Sequence, residues 1–213
     1  MTSFDETAAK AARDRQNSLT KPPGSLGRLE DLAVFMAGWQ GRARPRLERA
    51  QALVFAGNHG VVAQNVNPFP AEVTALMVAN FSAGGAAINQ LCRVAGADLS
   101  VVALELDRPT ADFTQNVAMT SDEVRAAMQA GADAVDSQAD VLLLGEMGIG
   151  NSTVAAVLAA WTFGGRAEDW VGPGTGAEGE ILANKLRAVT AGLARHDPMT
   201  AADALAAFGG REQ

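Results

Sequence analysis

Tyrosine is absent from this chain, cysteine occurs once and histidine only twice. Each scarcity removes a class of function. The lone cysteine, Cys92, cannot form an intrachain disulfide, which fits a reducing, cytoplasmic setting. It lies in a helical pattern with Ile88, Leu91, Val94 and Ala95, so a buried small hydrophobe is expected there. His59 and His196 stand far apart with no carboxylate cluster around them, and this gives no metal signature. No Ser-His-Asp or Cys-His nucleophile pattern can be read either. No run reaches the roughly eighteen apolar residues of a membrane span, and the opening MTSFDETAAKAARDR has no apolar signal core, which argues against export. The formal net charge is −7, and no stripe interleaves basic with aromatic residues. A nucleic-acid surface is not expected on that balance.

What is present is a globular composition: 213 residues, 48% hydrophobic, with 22 glycines. That length suits one large domain or one and a half. Residues 3–18 read as a helix with a mostly polar surface, followed by the rigid Pro/Gly loop Leu19-Thr20-Lys21-Pro22-Pro23-Gly24-Ser25-Leu26-Gly27. A second helix should bury Leu26, Leu29, Leu32, Ala33, Met36 and Trp39. The helical lead-in is assigned to residues 1–45 and an α/β region to 46–213. In that region, strands are expected at 52–56, 99–104 and 141–144, with Asp169-Trp170-Val171-Gly172 as a fourth candidate. Helices are expected at 71–81, 86–95, 121–135, 154–163, 181–195 and 201–208. Alternating strands and helices imply a Rossmann-like parallel sheet covered by helices. Three or four strands are few for that class. The closing Gly209-Gly210-Arg211-Glu212-Gln213 reads as a frayed tail or as a turn into a further element.

The densest chemistry lies in Gly145-Glu146-Met147-Gly148-Ile149-Gly150-Asn151-Ser152-Thr153, between an apolar run and a helix-forming segment. Glycines at a strand-to-helix turn let the backbone take positive φ and approach a ligand. Asn151, Ser152 or Thr153 would cap the helix, whose N-terminus attracts an anion. Glu146 falls in the middle of the turn on this reading. The spacing matches neither GxGxxG nor a P-loop. A second glycine turn, Gly172-Pro173-Gly174-Thr175-Gly176, precedes a helix carrying Lys185, which reaches a phosphate if that helix lies beside the site and is otherwise a solvated lysine. Ligands in open α/β sheets sit beyond the carboxyl ends of strands, where the first strand gives Gly57-Asn58-His59-Gly60. His59 either serves a substrate, steadies Glu146 or caps loop carbonyls. His196, at a helix end, reads as a dipole partner.

In order along the chain, TKPPGSLGRLEDLA, FAGNHGV, PAEVTALMVANFSAGGAAIN, RPTADFT, GEMGIGNST and WVGPGTG resemble the nicotinate-nucleotide–dimethylbenzimidazole phosphoribosyltransferase family. The resemblance runs from about Thr20 to Glu212. It implies transfer of phosphoribose from nicotinate mononucleotide to 5,6-dimethylbenzimidazole, giving α-ribazole 5′-phosphate and nicotinate, in assembly of the lower nucleotide loop of cobalamin. It implies no cofactor, a cytoplasmic homodimer, and a Rossmann-like domain with a small helical domain. By resemblance the phosphoribosyl end falls to Glu146, Gly148, Asn151, Ser152, Thr153, Gly174, Thr175, Gly176 and Lys185. The acceptor-base pocket falls to Asn58, His59, Phe69, Met77 and Ser82. Three positions depart from the family's habit: Ser152 for threonine, Phe69 for tyrosine and Leu76 for glutamine. The family's chain continues well past the Gly-Gly-Arg-Glu turn, and its general-base glutamate falls there, so no residue here takes that role. The alternative expectation is a shortened, inactive or partner-dependent phosphoribosyl-nucleotide-binding protein, completed by a second chain that supplies the remaining part.

Overall fold

The computed structural model describes residues 3–213 and divides into two compact units. The first comprises the described residues through Ala50 together with Gln138–Val141, and the second comprises Gln51–Ser137 and Leu142–Gln213.

Two helices form most of the first unit, α1 (Glu6–Ser18) and α2 (Arg28–Gln40). Asp5 caps α1 by accepting from the amides of Thr7 and Ala8. The expected burial of α2 is overturned. Leu26, Leu29, Leu32 and Trp39 are exposed, while Val34, Ala37 and Gly38 are buried. The cause is the partner helix: α1 offers Ala8, Ala9 and Ala12, and small residues on both sides let the two helices approach closely. The Phe4 ring fills the space where Gly38 has no Cβ.

The second unit holds a sheet of three parallel strands in the order β2-β1-β3. These are β1 (Ala50–Ala56), β2 (Ala97–Ala103) and β3 (Val141–Met147). The register is fixed where their carboxyl ends align: Leu104 N donates to Ala56 O at 2.8 Å, and Gly57 N to Met147 O at 3.0 Å. Two helices, α3 (Glu72–Ser82) and α4 (Ala87–Ala95), connect β1 to β2, and α5 (Ser121–Ala134) connects β2 to β3. After β3 come α6 (Asn151–Phe163), the short α7 (Ala167–Trp170), α8 (Gly179–Arg195) and α9 (Ala201–Phe208). In α4 Cys92 is buried as expected, but Leu91 and Val94 are not.

Central β1 is covered, with Leu53 only 1% exposed, whereas edge strand β3 leaves Leu144 72% exposed. The main core forms among α6, α8 and α9, where Val154, Val157, Val189 and Phe208 pack with Phe113. Burying a side chain of this kind contributes about 1.5–3 kcal/mol.

The fourth strand does not exist: residues 167–170 are α7. Asp169 Oδ2 accepts from the amide of Arg166 at 2.8 Å, which starts a helical turn in place of an extended segment. His196 is at the C-cap of α8, but its Nε2 lies 2.8 Å from the Phe113 carbonyl, so the ring serves a neighbouring loop instead of its own helix end.

Candidate functional site

Strand ends that align in a parallel sheet bring their following loops together. Here these are Gly57-Asn58-His59 after β1, Leu104 to Thr110 after β2, and Gly148-Ile149-Gly150 after β3. Asn58 ties the first two: its Nδ2 donates to Leu106 O at 2.8 Å, and its own carbonyl accepts from Thr110 N at 3.0 Å.

Glu146 is on β3, one residue before its end, and not in the turn that follows. The strand outlasts the apolar run because ladder pairing reaches Met147, whose carbonyl accepts from Gly57. The helix also starts earlier than the sequence implied. Gly150 is its N-cap at φ +94°, a conformation that suits glycine, so Asn151, Ser152 and Thr153 form the first turn and none of them caps it. Several amides of this turn already have partners: Ile149 N donates to Thr74 Oγ1 at 3.1 Å, Asn151 N to Gly148 O and Thr153 N to Gly150 O. A backbone cradle for an anion is therefore reduced, and the weight shifts to side chains.

The two glycine turns meet at Lys185. Its ammonium donates to Ser152 Oγ at 2.9 Å and to Gly172 O at 2.8 Å. A Cβ on Gly174 would stand 2.7 Å from Ser152 Oγ and 3.1 Å from Lys185 Nζ, so only glycine lets that turn come so near. Lys185 is 1% exposed, and among the described residues no charged partner acts on it. Burial lowers its affinity for the proton. Thr175 Oγ1 accepts from Asn67 Nδ2 at 3.2 Å, which pins the turn from the other side.

The largest departure from expectation is the tail. Residues 209–212 are buried, and Arg211 fastens them. It donates to Arg108 O at 2.7 Å and to Glu123 Oε1 at 2.8 Å, and its Nε lies 3.0 Å from Glu105 Oε2. Glu212 then enters the strand-end crevice, where its Oε1 lies 2.7 Å from His59 Nε2, with both side chains fully buried. The contact is a close approach of two titratable groups; the ring N–H is not aligned as in a good hydrogen bond, and His59 Nδ1 and Glu212 Oε2 have no partner. Burial is the largest influence and works to raise the Glu212 carboxyl, but His59, the Glu212 backbone amide and the Gln213 side chain together hold the group below its ordinary value. Glu146 shifts the other way. Desolvation raises it first and the Glu212 charge second, against a smaller opposing pull from His59.

Glu212 is not among the residues the sequence singles out, because the terminal turn reads there as a frayed tail or as a turn into a further element. Gly-Gly beside an Arg-Glu pair was the available signal, since glycines allow a close approach and an arginine beside a carboxylate can anchor it. The residues assigned to an acceptor base are not assembled in the same way. Asn58 and His59 are buried, and Asn58 Oδ1 has no partner. Phe69 is exposed, Met77 is half-buried on α3, and Ser82 is exposed at its end with its hydroxyl donating to Val78 O. Buried polar atoms without partners are uncommon in folded proteins, and each has a cause to be found, such as a bound water, strain or a catalytic role. Thr153 Oγ1 adds another to those of Asn58, His59 and Glu212.

The chain is similar to known proteins along its whole length. A family model described as phosphoribosyltransferase matches residues 1–213. The nicotinate-nucleotide–dimethylbenzimidazole phosphoribosyltransferase of Rhodobacter capsulatus is 62% identical over 208 residues, covering 98% of this chain and 62% of that protein. The enzyme of the same name from Ruegeria pomeroyi is 60% identical with the same coverage. The chain thus spans about 62% of the length of these relatives. Among solved structures, CobT from Thermus thermophilus superposes with a TM-score of 0.87 at 39% identity, covering 97% of this chain and 68% of that one.

Proposed function

This chain belongs to the phosphoribosyltransferase family of the nicotinate-nucleotide–dimethylbenzimidazole enzymes, and from that premise we propose that it binds nicotinate mononucleotide and serves transfer of its phosphoribose to 5,6-dimethylbenzimidazole. The observation that carries the reading is Lys185. A buried ammonium held only by a hydroxyl and a carbonyl keeps donor capacity and uncompensated charge for an anion. The phosphate binds at Lys185 and Ser152, beside the Gly172–Gly176 turn and the start of α6.

Glu146, on the strand that runs into the same turn, faces the ribose or the cationic nicotinate ring. In the transfer, the bond from the anomeric carbon to the pyridine nitrogen breaks and its electron pair leaves with nicotinate. The imine-type nitrogen of dimethylbenzimidazole supplies the pair for the new bond, with inversion, and its other nitrogen gives up a proton to a base. No residue of these 213 is assigned as that base. A cytoplasmic setting fits the single buried cysteine, and association into a homodimer, or with a chain that supplies the base, belongs to the same proposal.

The test is calorimetric titration of nicotinate mononucleotide, followed by an assay for α-ribazole 5′-phosphate. Binding with turnover supports the transferase reading. Binding without turnover supports the second reading, a phosphoribosyl-nucleotide-binding protein dependent on a partner, which the lack of an assigned base favours. Absence of binding rejects both.

A further inference from the structure

Three glycines from three parts of the chain surround the His59–Glu212 pair. A Cβ on Gly57 would collide with Glu212 Oε2. One on Gly148 would stand 2.9 Å from His59 Nε2 and 2.6 Å from the Gly57 carbonyl. One on Gly210 would collide with His59 Cε1 and stand 2.6 Å from Glu212 Oε2. The pair is therefore enclosed by the backbone of the β1 loop, the β3 loop and the tail. Gly148 is two residues beyond Glu146, and Gly57 N holds the intervening Met147 carbonyl at 3.0 Å.

We propose that Glu212, paired with His59, is a positioning residue for Glu146: the buried pair is the floor on which the Met147–Gly148 backbone rests, and so it fixes where the end of β3 carries Glu146. The reading of nicotinate mononucleotide as ligand is needed only to say what Glu146 serves. The charged groups that face Glu146 are Glu212 from the tail and His59 from the β1 loop. Arg211, next in chain to Glu212, is engaged with Glu105 and Glu123 and does not neutralise the pair. Gln213 Nε2 donates to Glu212 Oε1 at 3.1 Å, so the side of the carboxylate toward His59 is fixed from two directions. Of the two carboxylates, Glu146 is exposed but has no imidazole beside it, so it keeps its proton more readily than the buried Glu212.

The experiment follows the side-chain carboxyl carbons by NMR through a pH titration of the ligand-free protein, wild type and Glu212→Gln, with nicotinate mononucleotide affinity measured across the same pH range. In wild type, the Glu146 midpoint is expected above and the Glu212 midpoint below the ordinary glutamate value. In Glu212→Gln the Glu146 midpoint should fall toward the ordinary glutamate value, because one of the influences that raise it has gone. The pH profile of binding should move with it. In a Glu146→Gln background the Glu212→Gln change should leave that profile in place. An unmoved Glu146 midpoint overturns the proposal. If Glu212→Gln does not fold, wild type alone decides: two ordinary, independent midpoints overturn it, and divergent ones support it. Divergent midpoints with no binding of nicotinate mononucleotide leave the positioning role standing and count against the ligand alone.

Discussion

Glu212 and Lys185 are both buried charges near the strand ends, yet Glu212 has an imidazole at 2.7 Å while Lys185 is held by a hydroxyl and a carbonyl. The first has inside the chain a ring that becomes its countercharge when protonated. The second is surrounded by neutral oxygens, an arrangement that is unfavourable in isolation and is relieved when an anion arrives. A charge that is balanced internally organises structure; a charge left unbalanced awaits a ligand. The two differ in what their loss should do, and this makes the contrast open to attack.

Glu212→Ala should have the largest effect. Removing one member of a buried pair leaves the other uncompensated and costs about 3–5 kcal/mol, read as a lower midpoint in urea unfolding. A loss under about 1 kcal/mol, the range of exposed pairs, would mean that the pair is solvated and the contrast with Lys185 is false. Next is Lys185→Met, which keeps the chain length and removes the charge. Affinity for ribose 5-phosphate should fall roughly ten- to hundredfold, corresponding to the 1.5–3 kcal/mol of a hydrogen bond to a charged group. Thermal stability should hold or rise, because an unbalanced charge has gone. Equal affinity in calorimetry would reduce Lys185 to a packing residue.

A smaller effect separates the carboxylates by pH. The Glu212 carboxyl is held below its ordinary value of 4.5, so the stability it contributes is present above that pH and is lost as pH falls through its folded value. Glu146 is raised from the same ordinary value, so its ionisation costs stability as pH rises through its folded value. Urea midpoints across the acid range should therefore fall less steeply in Glu212→Gln than in wild type. The smallest effect belongs to Asn151→Ala. A side-chain cap would be worth about 1 kcal/mol, but Gly150 occupies that position, and the change should cost less than half as much as a cap. A full kilocalorie in the same unfolding assay would restore Asn151 as a cap.

The strands and most helices were legible because local signals produce them, apolar runs and glycine turns, whereas the grouping of GEMGIGNST with GPGTG and Lys185 came from the family resemblance, the sequence itself leaving Lys185 open between a phosphate contact and a solvated lysine. The fourth strand failed because a single carboxylate, Asp169, captured the Arg166 amide, and no hydrophobic pattern announces such a choice. The apolar face of α2 failed because periodicity says which residues share a face but not which face a neighbour accepts. Alanines on α1 favoured Val34, Ala37 and Gly38 over the larger Leu29 and Leu32. Glu212 was invisible for a third reason. Its meaning depends on His59, more than a hundred residues away in sequence, and on three glycines that only the folded chain brings together.

Gly57, Gly148 and Gly210 give the molecule a particular tolerance for change. Gly57 and Gly210 are denied a side chain by one or both of the same two residues, and Gly148 by His59 and the Gly57 carbonyl, so the three segments that carry them vary as a linked set. An alanine at Gly210 becomes permissible only once His59 and Glu212 have been shortened, and a methyl at Gly57 once Glu212 has. The order of substitution matters: the side chains must shrink before the glycines can grow, and a lineage that took the steps in reverse would pass through a chain whose crevice cannot close.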